Sequence, residues 1–288
     1  MMRLSRVSAV LISLATAFAA TPVIAQQRPL VTEDPEVIGP GRLLIEGGVD
    51  VERDVFYSVS GLRGNRISVP TFGISVGLSS IAELQIDGGF YQRLHIAERR
   101  PAAPLAKLVT ATGNHTSDVE DVVLATKIRL FGETPTGRPA VGLRFATKLP
   151  NASNEAGLGT DMTDFFASLL LAKTIESIRV VGNAGVAILG DPTASVPEQN
   201  DLLTFGVSVA RAISTATELV GEINGRVNLA NGDPEPGGEN RAVMRLGGRY
   251  THGTVRFDTA ALVGLTPRDP EIGLTVGFTW VFNAFRVP

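Results

Sequence analysis

The chain has 288 residues, with 26 Lys and Arg against 29 Asp and Glu; the signs are interspersed, the formal charge is −3, and no basic stripe suited to nucleic acid is present. It has no cysteine, which excludes disulfides, a lipidated N-terminal cysteine and Cys/His metal sites. Beyond the first 25 residues no run of about 18 apolar residues is available for a membrane-spanning helix, and 31 glycines beside 4 methionines favour β-structure.

Residues 1–25 read as a signal peptide: Arg3 and Arg6 are followed by an apolar run, Ala9 to Ala20, and by a small-residue cleavage site at Val23-Ile24-Ala25. Residues 26–40 contain Pro29, Pro35 and Pro40, show no period, and read as a periplasmic lead-in. Residues 41–288 then alternate.

The first strand, about 42–53, sets Leu43, Ile45, Val49 and Val51 against Glu46, Asp50 and Glu52. The second, about 67–78, carries Phe72, Ile74 and Val76 on one face. The third, 81–94, opposes Leu84, Ile86 and Phe90 to Glu83, Gln85 and Asp87. Residues 95–118 form the longest irregular piece. The fourth strand (119–131) opposes Val122, Leu124 and Ile128 to Asp121, Lys127 and Arg129, and the fifth (139–149) opposes Val141, Leu143 and Phe145 to Arg144 and Lys148. The sixth (160–173) aligns Phe165, Leu169 and Leu171, and the seventh (178–189) sets Val180, Val186 and Ile188 against Arg179 and Asn183. In the eighth (201–213) Leu203, Phe205, Val207 and Val209 share a face; the ninth (216–228) carries Glu218, Glu222, Asn224, Arg226 and Asn228 on one side. The tenth (240–250) aligns Arg241, Arg245 and Arg249, and the eleventh (254–266) sets Val255, Phe257 and Val263 against Arg256 and Asp258. The last, 272–282, is fully apolar on one face and ends on Phe278, Trp280 and Phe282, the aromatic signature of a closing barrel strand at the headgroup layer.

About twelve strands result. Connections after the even-numbered strands are short and those after the odd-numbered ones mostly longer, the asymmetry of short periplasmic turns and longer extracellular loops. The pattern therefore predicts an all-β, antiparallel transmembrane barrel in the outer membrane, closed because an unpaired sheet edge has no hydrogen-bond partner in hydrocarbon. The rival, a soluble barrel, would have to fill a wide interior with the apolar face. Lys173 and Arg211 fall on that face by parity, near short-turn ends where a long side chain reaches headgroups.

The polar face supplies the candidate pore lining: Glu46, Asp50, Asp87, Lys127, Arg129, Arg144, Lys148, Glu222, Arg226, Arg241, Arg245, Arg249 and Arg256. Acidic residues from the first and third strands oppose basic ones from the fourth, fifth, tenth and eleventh, which would sort solutes by charge. The alternative is an interior plugged by ion pairs. Residues 95–118, with Arg99, Arg100 and Lys107, are a candidate constriction loop if they fold inward; otherwise they sit outside. An enzyme would need a nucleophile, base and orienting group in reach, and His95, His115 and His252 stand alone in loops or turns. No metal-ligand spacing and no phosphate or dinucleotide motif is present, so neither metal nor cofactor is expected.

Three stretches together, Leu30-Val-Thr-Glu-Asp-Pro35, Ala146-Thr-Lys-Leu-Pro-Asn151 with Gly157-Leu-Gly-Thr-Asp161, and Phe278-Thr-Trp-Val-Phe282, resemble the outer-membrane transporter family named after the meta-pathway of phenol degradation. The resemblance spans nearly all of the chain after residue 25 and implies a channel for small molecules, aromatic ones included. It transfers no catalytic residue. The six residues after Phe282 depart from the usual ending on a terminal aromatic. The expected function is passive passage of small solutes, with a non-conducting barrel acting through its extracellular loops as the alternative. Expected partners are outer-membrane lipids, the barrel-insertion machinery and a small-molecule solute; the sequence leaves the oligomeric state open.

Overall fold

The computed structural model describes residues 28–135, 137–193, 199–230 and 233–286. The expected signal peptide, 1–25, lies outside these residues, as do Gln26 and Gln27.

The strands are β1 (Arg42–Tyr57), β2 (Leu62–Gly77), β3 (Ala82–Gly89), β4 (Gln92–Arg99), β5 (His115–Asp118), β6 (Val123–Phe131), β7 (Ala140–Lys148), β8 (Asp164–Ile175), β9 (Ile178–Gly190), β10 (Gln199–Ala212), β11 (Thr217–Asn228), β12 (Arg241–His252), β13 (Val255–Gly264) and β14 (Ile272–Asn283). Each pairs antiparallel with its neighbours, and β1 pairs with both β2 and β14, from Arg42↔Asn283 to Arg53↔Ile272, so the sheet closes on itself. Two wall strands are broken: β3 and β4 are consecutive pieces of one, β5 and β6 of the next, since β2 pairs with β4 through Leu62–Ser68 and with β3 through Thr71–Gly77. The barrel therefore has twelve staves, as the alternation predicts.

The break has a local cause. Pro70 offers no N–H to the ladder, and only Val69 N–H to Tyr91 O (2.8 Å) and Phe90 N–H to Pro70 O (3.1 Å) bridge the junction. Gly89 lets Glu120 fold against it; a Cβ there would stand 2.5 Å from the Glu120 carboxylate. The face assignment changes at this break. Beyond it Leu94 and Ile96 point inward and are buried, which corrects the expectation of an irregular segment over 95–118: His95–Arg99 continues β4, His115–Asp118 is β5, and the loop between them is 100–114. Leu94 and Ile96 pack with Leu62 and Leu158, flanked by Tyr57, Val109 and Ala156, in a small apolar core inside the long-loop mouth.

Elsewhere the alternation holds. Leu84, Leu169, Leu171, Val207, Leu274, Val276, Phe278 and Trp280 are exposed on the outer wall, and the Trp280 and Phe282 rings lie 4.3 Å apart at the end of β14. On the inner face of β14, Thr279 is fully buried and donates to Glu46 (2.9 Å). The tight β8–β9 and β12–β13 hairpins place Glu176 (φ 54°) and Gly253 (φ 62°) in the left-handed region that such two-residue turns require. Lys173 reaches the turn residue Glu133 at 3.0 Å, consistent with a charge escaping the apolar wall at its short-turn end.

An exposed apolar wall stabilises the protein only in lipid. Val207, 54% exposed midway along β10, gives the test. Val207→Arg should cost about 2–4 kcal/mol in reversible urea unfolding from vesicles, the range for a cation at the bilayer midplane, and Leu203→Arg nearer the rim should cost less. Equal and negligible losses would mean that this face does not meet acyl chains.

Candidate functional site

Residues 28–40, the expected periplasmic lead-in, run inside the bore. Their sequence explains why. Glu33, Asp34 and Glu36 are acids in a segment with no strand period, and the wall around them presents Lys127, Arg129, Arg144 and Arg179 inward. Each acid is matched. Glu33 lies 2.9 Å from Arg144 and 3.4 Å from Lys127; Asp34 receives Arg179 Nη2 (2.7 Å) and Nε; Glu36 pairs with Arg129. The backbone is held as well. Val31 N–H (2.9 Å) and Thr32 N–H (2.8 Å) donate to the Glu222 carboxylate, Glu33 N–H donates to Asn183 Oδ1 (2.7 Å), and Ile38 N–H donates to Glu83 (2.7 Å). At the segment's start, Arg28 lies 3.5 Å from the Asp258 carboxylate and 3.9 Å from Asp50, and its carbonyl accepts from Arg249 Nε (2.8 Å).

These contacts absorb most of the predicted pore lining. Lys127 is fully buried between Glu83 (3.0 Å) and Glu33. Arg144 also reaches Gln85 (2.8 Å) and Asp87 (3.5 Å). Arg245 pairs with Glu222 (2.9 Å) and Asn224 (2.8 Å), Arg249 lies 3.5 Å from Glu218, and Arg256 reaches the Arg28 carbonyl (3.5 Å). Lys148 bridges Asp121 (3.0 Å) and Asp164 (2.9 Å) on the wall itself. Glu46 is buried against Thr279 and Asp50 faces Arg28. A charge withdrawn from water inside a protein needs a partner at hydrogen-bond distance, and removing one member of such a pair typically costs about 3–5 kcal/mol. The inner segment is thus a structural part of the barrel.

Arg226 and Arg241 stand apart. Arg226 donates to Gly237 O (2.6 Å) and Glu239 O (3.2 Å), and Arg241 donates to Phe56 O (3.2 Å). The candidate constriction loop lies differently from its inward-folding alternative: Arg99 is exposed and donates to Gly113 O (2.5 Å), Lys107 is exposed, and Arg100 pairs with Glu98 (2.8 Å) above the Phe56 ring. The next loop folds inward instead, and Gly157 makes this possible: a Cβ there would stand 2.6 Å from Leu62.

The inner segment divides the bore. On the long-loop side a cavity of about 660 Å³ is lined by Val31, Thr32 and Glu33 below and by Val55, Phe56, Tyr57, Phe166, Arg226 and Arg241 around it. On the short-turn side a cavity of about 230 Å³ is lined by Leu30, Thr32 and Asp34 with Arg179, Glu218 and Arg249. Thr32 belongs to both, so this stretch is the floor of one chamber and the roof of the other. Among the described residues no group of three or more His, Cys, Asp or Glu side chains could hold a metal ion.

No family model matches the chain, and no curated protein matches it in sequence. Solved structures do match its fold. An outer-membrane channel from Pseudomonas putida F1 superposes with a TM-score of 0.63 over 86% of this chain and 98% of that one, at 13% identity. The chain has the fold of an outer-membrane β-barrel. More distant are the NanC porin (TM-score 0.49, 10% identity, 85% and 100% of the chains) and a toluene transporter of Ralstonia pickettii (TM-score 0.39, 10% identity, 86% and 90%). At these identities the likeness is one of fold.

Because the inner segment stands between the two chambers, deleting residues 28–37 should raise single-channel conductance in planar bilayers several-fold, and Glu33→Gln with Asp34→Asn should give a smaller rise with more current noise. Conductance unchanged by the deletion would mean that the segment does not limit passage.

Proposed function

We propose that the protein is an outer-membrane channel through which small solutes pass one at a time, from the wide long-loop chamber past the inner segment to the narrow one. The observation that carries this reading is the arrangement of two water-accessible chambers, about 660 and 230 Å³, separated by the few residues of Leu30–Asp34. A barrel built only as a scaffold has no need of chambers on both sides of such a partition. Passage would be limited at the segment, where Thr32 lines both chambers.

The lining supports amphipathic solutes, aromatic ones included. Phe56, Tyr57, Phe166, Leu170 and Leu189 form an apolar side of the outer chamber, and neutral polar, acidic and basic side chains, Arg226 and Arg241 among them, form the rest, the mixture by which pockets bind small molecules. The resemblance of three stretches to the phenol-pathway transporter family points the same way. The contrary reading, a non-conducting barrel that works through its loops, draws on the density of ion pairs around Lys127 and Glu33, which would hold the partition shut.

Reconstitution separates the two. Liposomes containing the protein should swell in small amphipathic solutes below about 200 Da and exclude disaccharides, and planar bilayers should show discrete openings of low conductance. No openings across a range of voltages, together with no swelling in any solute, would leave the scaffold reading standing.

A further inference from the structure

Most inward cations of this barrel have a carboxylate within 4 Å: Lys127, Arg129, Arg144, Lys148, Arg179, Arg245 and Arg249 all do. Among the described residues Arg226, Arg241 and Arg256 do not; Arg256 lines the short-turn chamber against the Arg28 carbonyl, whereas Arg226 and Arg241 are direct Cα partners across β11 and β12 and both line the outer chamber. Like charges directly opposed across a ladder are destabilising; Asp164, Glu239 and Asp269 offset part of this charge through space, but none is paired directly with either guanidinium group, so two such donor forks facing one chamber call for a function. The carboxylates nearest in sequence are already engaged. Glu239 accepts from Gly237 N–H (3.0 Å), and Asp269 accepts from Ala242 N–H (3.0 Å), Thr266 N–H (3.0 Å) and the Thr266 hydroxyl (2.7 Å).

The protein fixes the two guanidinium groups through carbonyl oxygens alone, Gly237 and Glu239 for Arg226 and Phe56 for Arg241, and carbonyls position a cation without neutralising it. The Nε of Arg241 is buried without a hydrogen-bond partner, a donor left unused at a cost unless something completes it. A guanidinium group is a planar fork that matches a carboxylate with two parallel hydrogen bonds. Beside the pair stand the apolar side chains of Phe56, Phe166, Leu170 and Leu189. Above it, the guanidinium carbons of Arg63, Arg100 and Arg268 lie 6.0, 4.5 and 5.2 Å from the centre of the Phe56 ring; Arg63 and Arg100 are paired with Asp54 and Glu98, which leaves Arg268 as the cation at this edge of the chamber.

We propose that Arg226 and Arg241 form a binding site for the carboxylate of an amphipathic monoanion whose aromatic or short acyl body lies against the Phe56–Phe166 side of the outer chamber. This rests on the reading of the chamber as the entrance of a solute pathway, and it names the solute class. The site selects; the inner segment then meters passage.

The test is equilibrium binding to the full-length protein in zwitterionic-lipid nanodiscs, with benzoate as probe and benzyl alcohol and benzylamine as its neutral and cationic counterparts. Benzoate should bind with one-to-one stoichiometry and at least tenfold more tightly than benzyl alcohol, with benzylamine weakest. Arg226→Gln with Arg241→Gln should bring benzoate to the level of benzyl alcohol. Since Arg226 also ties down the 237–239 loop, Arg241→Gln alone and the double Lys variant serve as milder changes; each should retain the heat-resistant gel migration of a folded barrel and lose several-fold in benzoate affinity, the Lys variant least. Equal binding of benzoate and benzyl alcohol, or benzoate affinity unchanged in the folded Arg241→Gln protein, would overturn the site. Binding is read without flux, so a barrel that binds benzoate but conducts nothing would refute the channel and keep the site, whereas conductance with no preference for the anion would do the reverse.

Discussion

A charge that has left water must meet its opposite, and the interior of this barrel is arranged around that constraint. Lys127, with none of its side chain exposed, lies between Glu83 of the wall and Glu33 of the inner segment. Arg144, Arg179 and Arg129 repeat the arrangement with Glu33, Asp34 and Glu36. The segment enters the bore where Lys127, Arg129, Arg144 and Arg179 point inward, and the wall tolerates those cations because the segment brings carboxylates. Each stabilises the other. The outer surface follows the opposite rule, with Leu, Val and Phe side chains facing acyl chains and the backbone closed into a ring by the β1–β14 pairing.

This coupling has consequences for passage. A bore of twelve strands could in principle be wide, but the inner segment fills its middle, with a chamber of about 660 Å³ on the long-loop side, one of about 230 Å³ on the short-turn side, and smaller cavities of about 310 and 120 Å³ beside Arg28. Passage then depends on a short stretch of backbone held at defined points, by Glu222 at Val31 and Thr32 and by Asn183 at Glu33. The wall sets what can approach, and the segment sets what can pass. Such a division lets the mouth be cationic and partly apolar while the constriction is lined by backbone and by neutralised pairs.

Much of this was legible in the sequence because a strand needs only period two to declare its faces. The β14 alternation, the polar face of β11 and the arginine file of β12 each appear in the structure on the side that parity assigns them. The reading failed where parity is interrupted. At Pro70 and Gly89 two staves break, and beyond the break Leu94 and Ile96 turn inward, so an apolar-out rule saw only irregular chain over 95–118. The inner segment was invisible for another reason. Two of its anchoring partners, Lys127 and Glu222, lie 94 and 191 residues away in sequence, and no local period marks such contacts. The available signal was electrostatic: three acids in an aperiodic stretch just ahead of a wall rich in inward cations.

The placement of that stretch inside the bore is open to a direct measurement, helped by the absence of native cysteine. A Cβ built on Gly206 lies 3.5 Å from the Cβ of Thr32, within the usual span of a disulfide. Thr32→Cys with Gly206→Cys in the membrane-inserted protein should therefore form an intramolecular disulfide in high yield under mild oxidation, seen as loss of both thiols to alkylation and as a mass two hydrogens lower. Two thiols that stay fully alkylatable under oxidant, in a barrel of normal heat stability, would place the segment outside the bore and contradict the account.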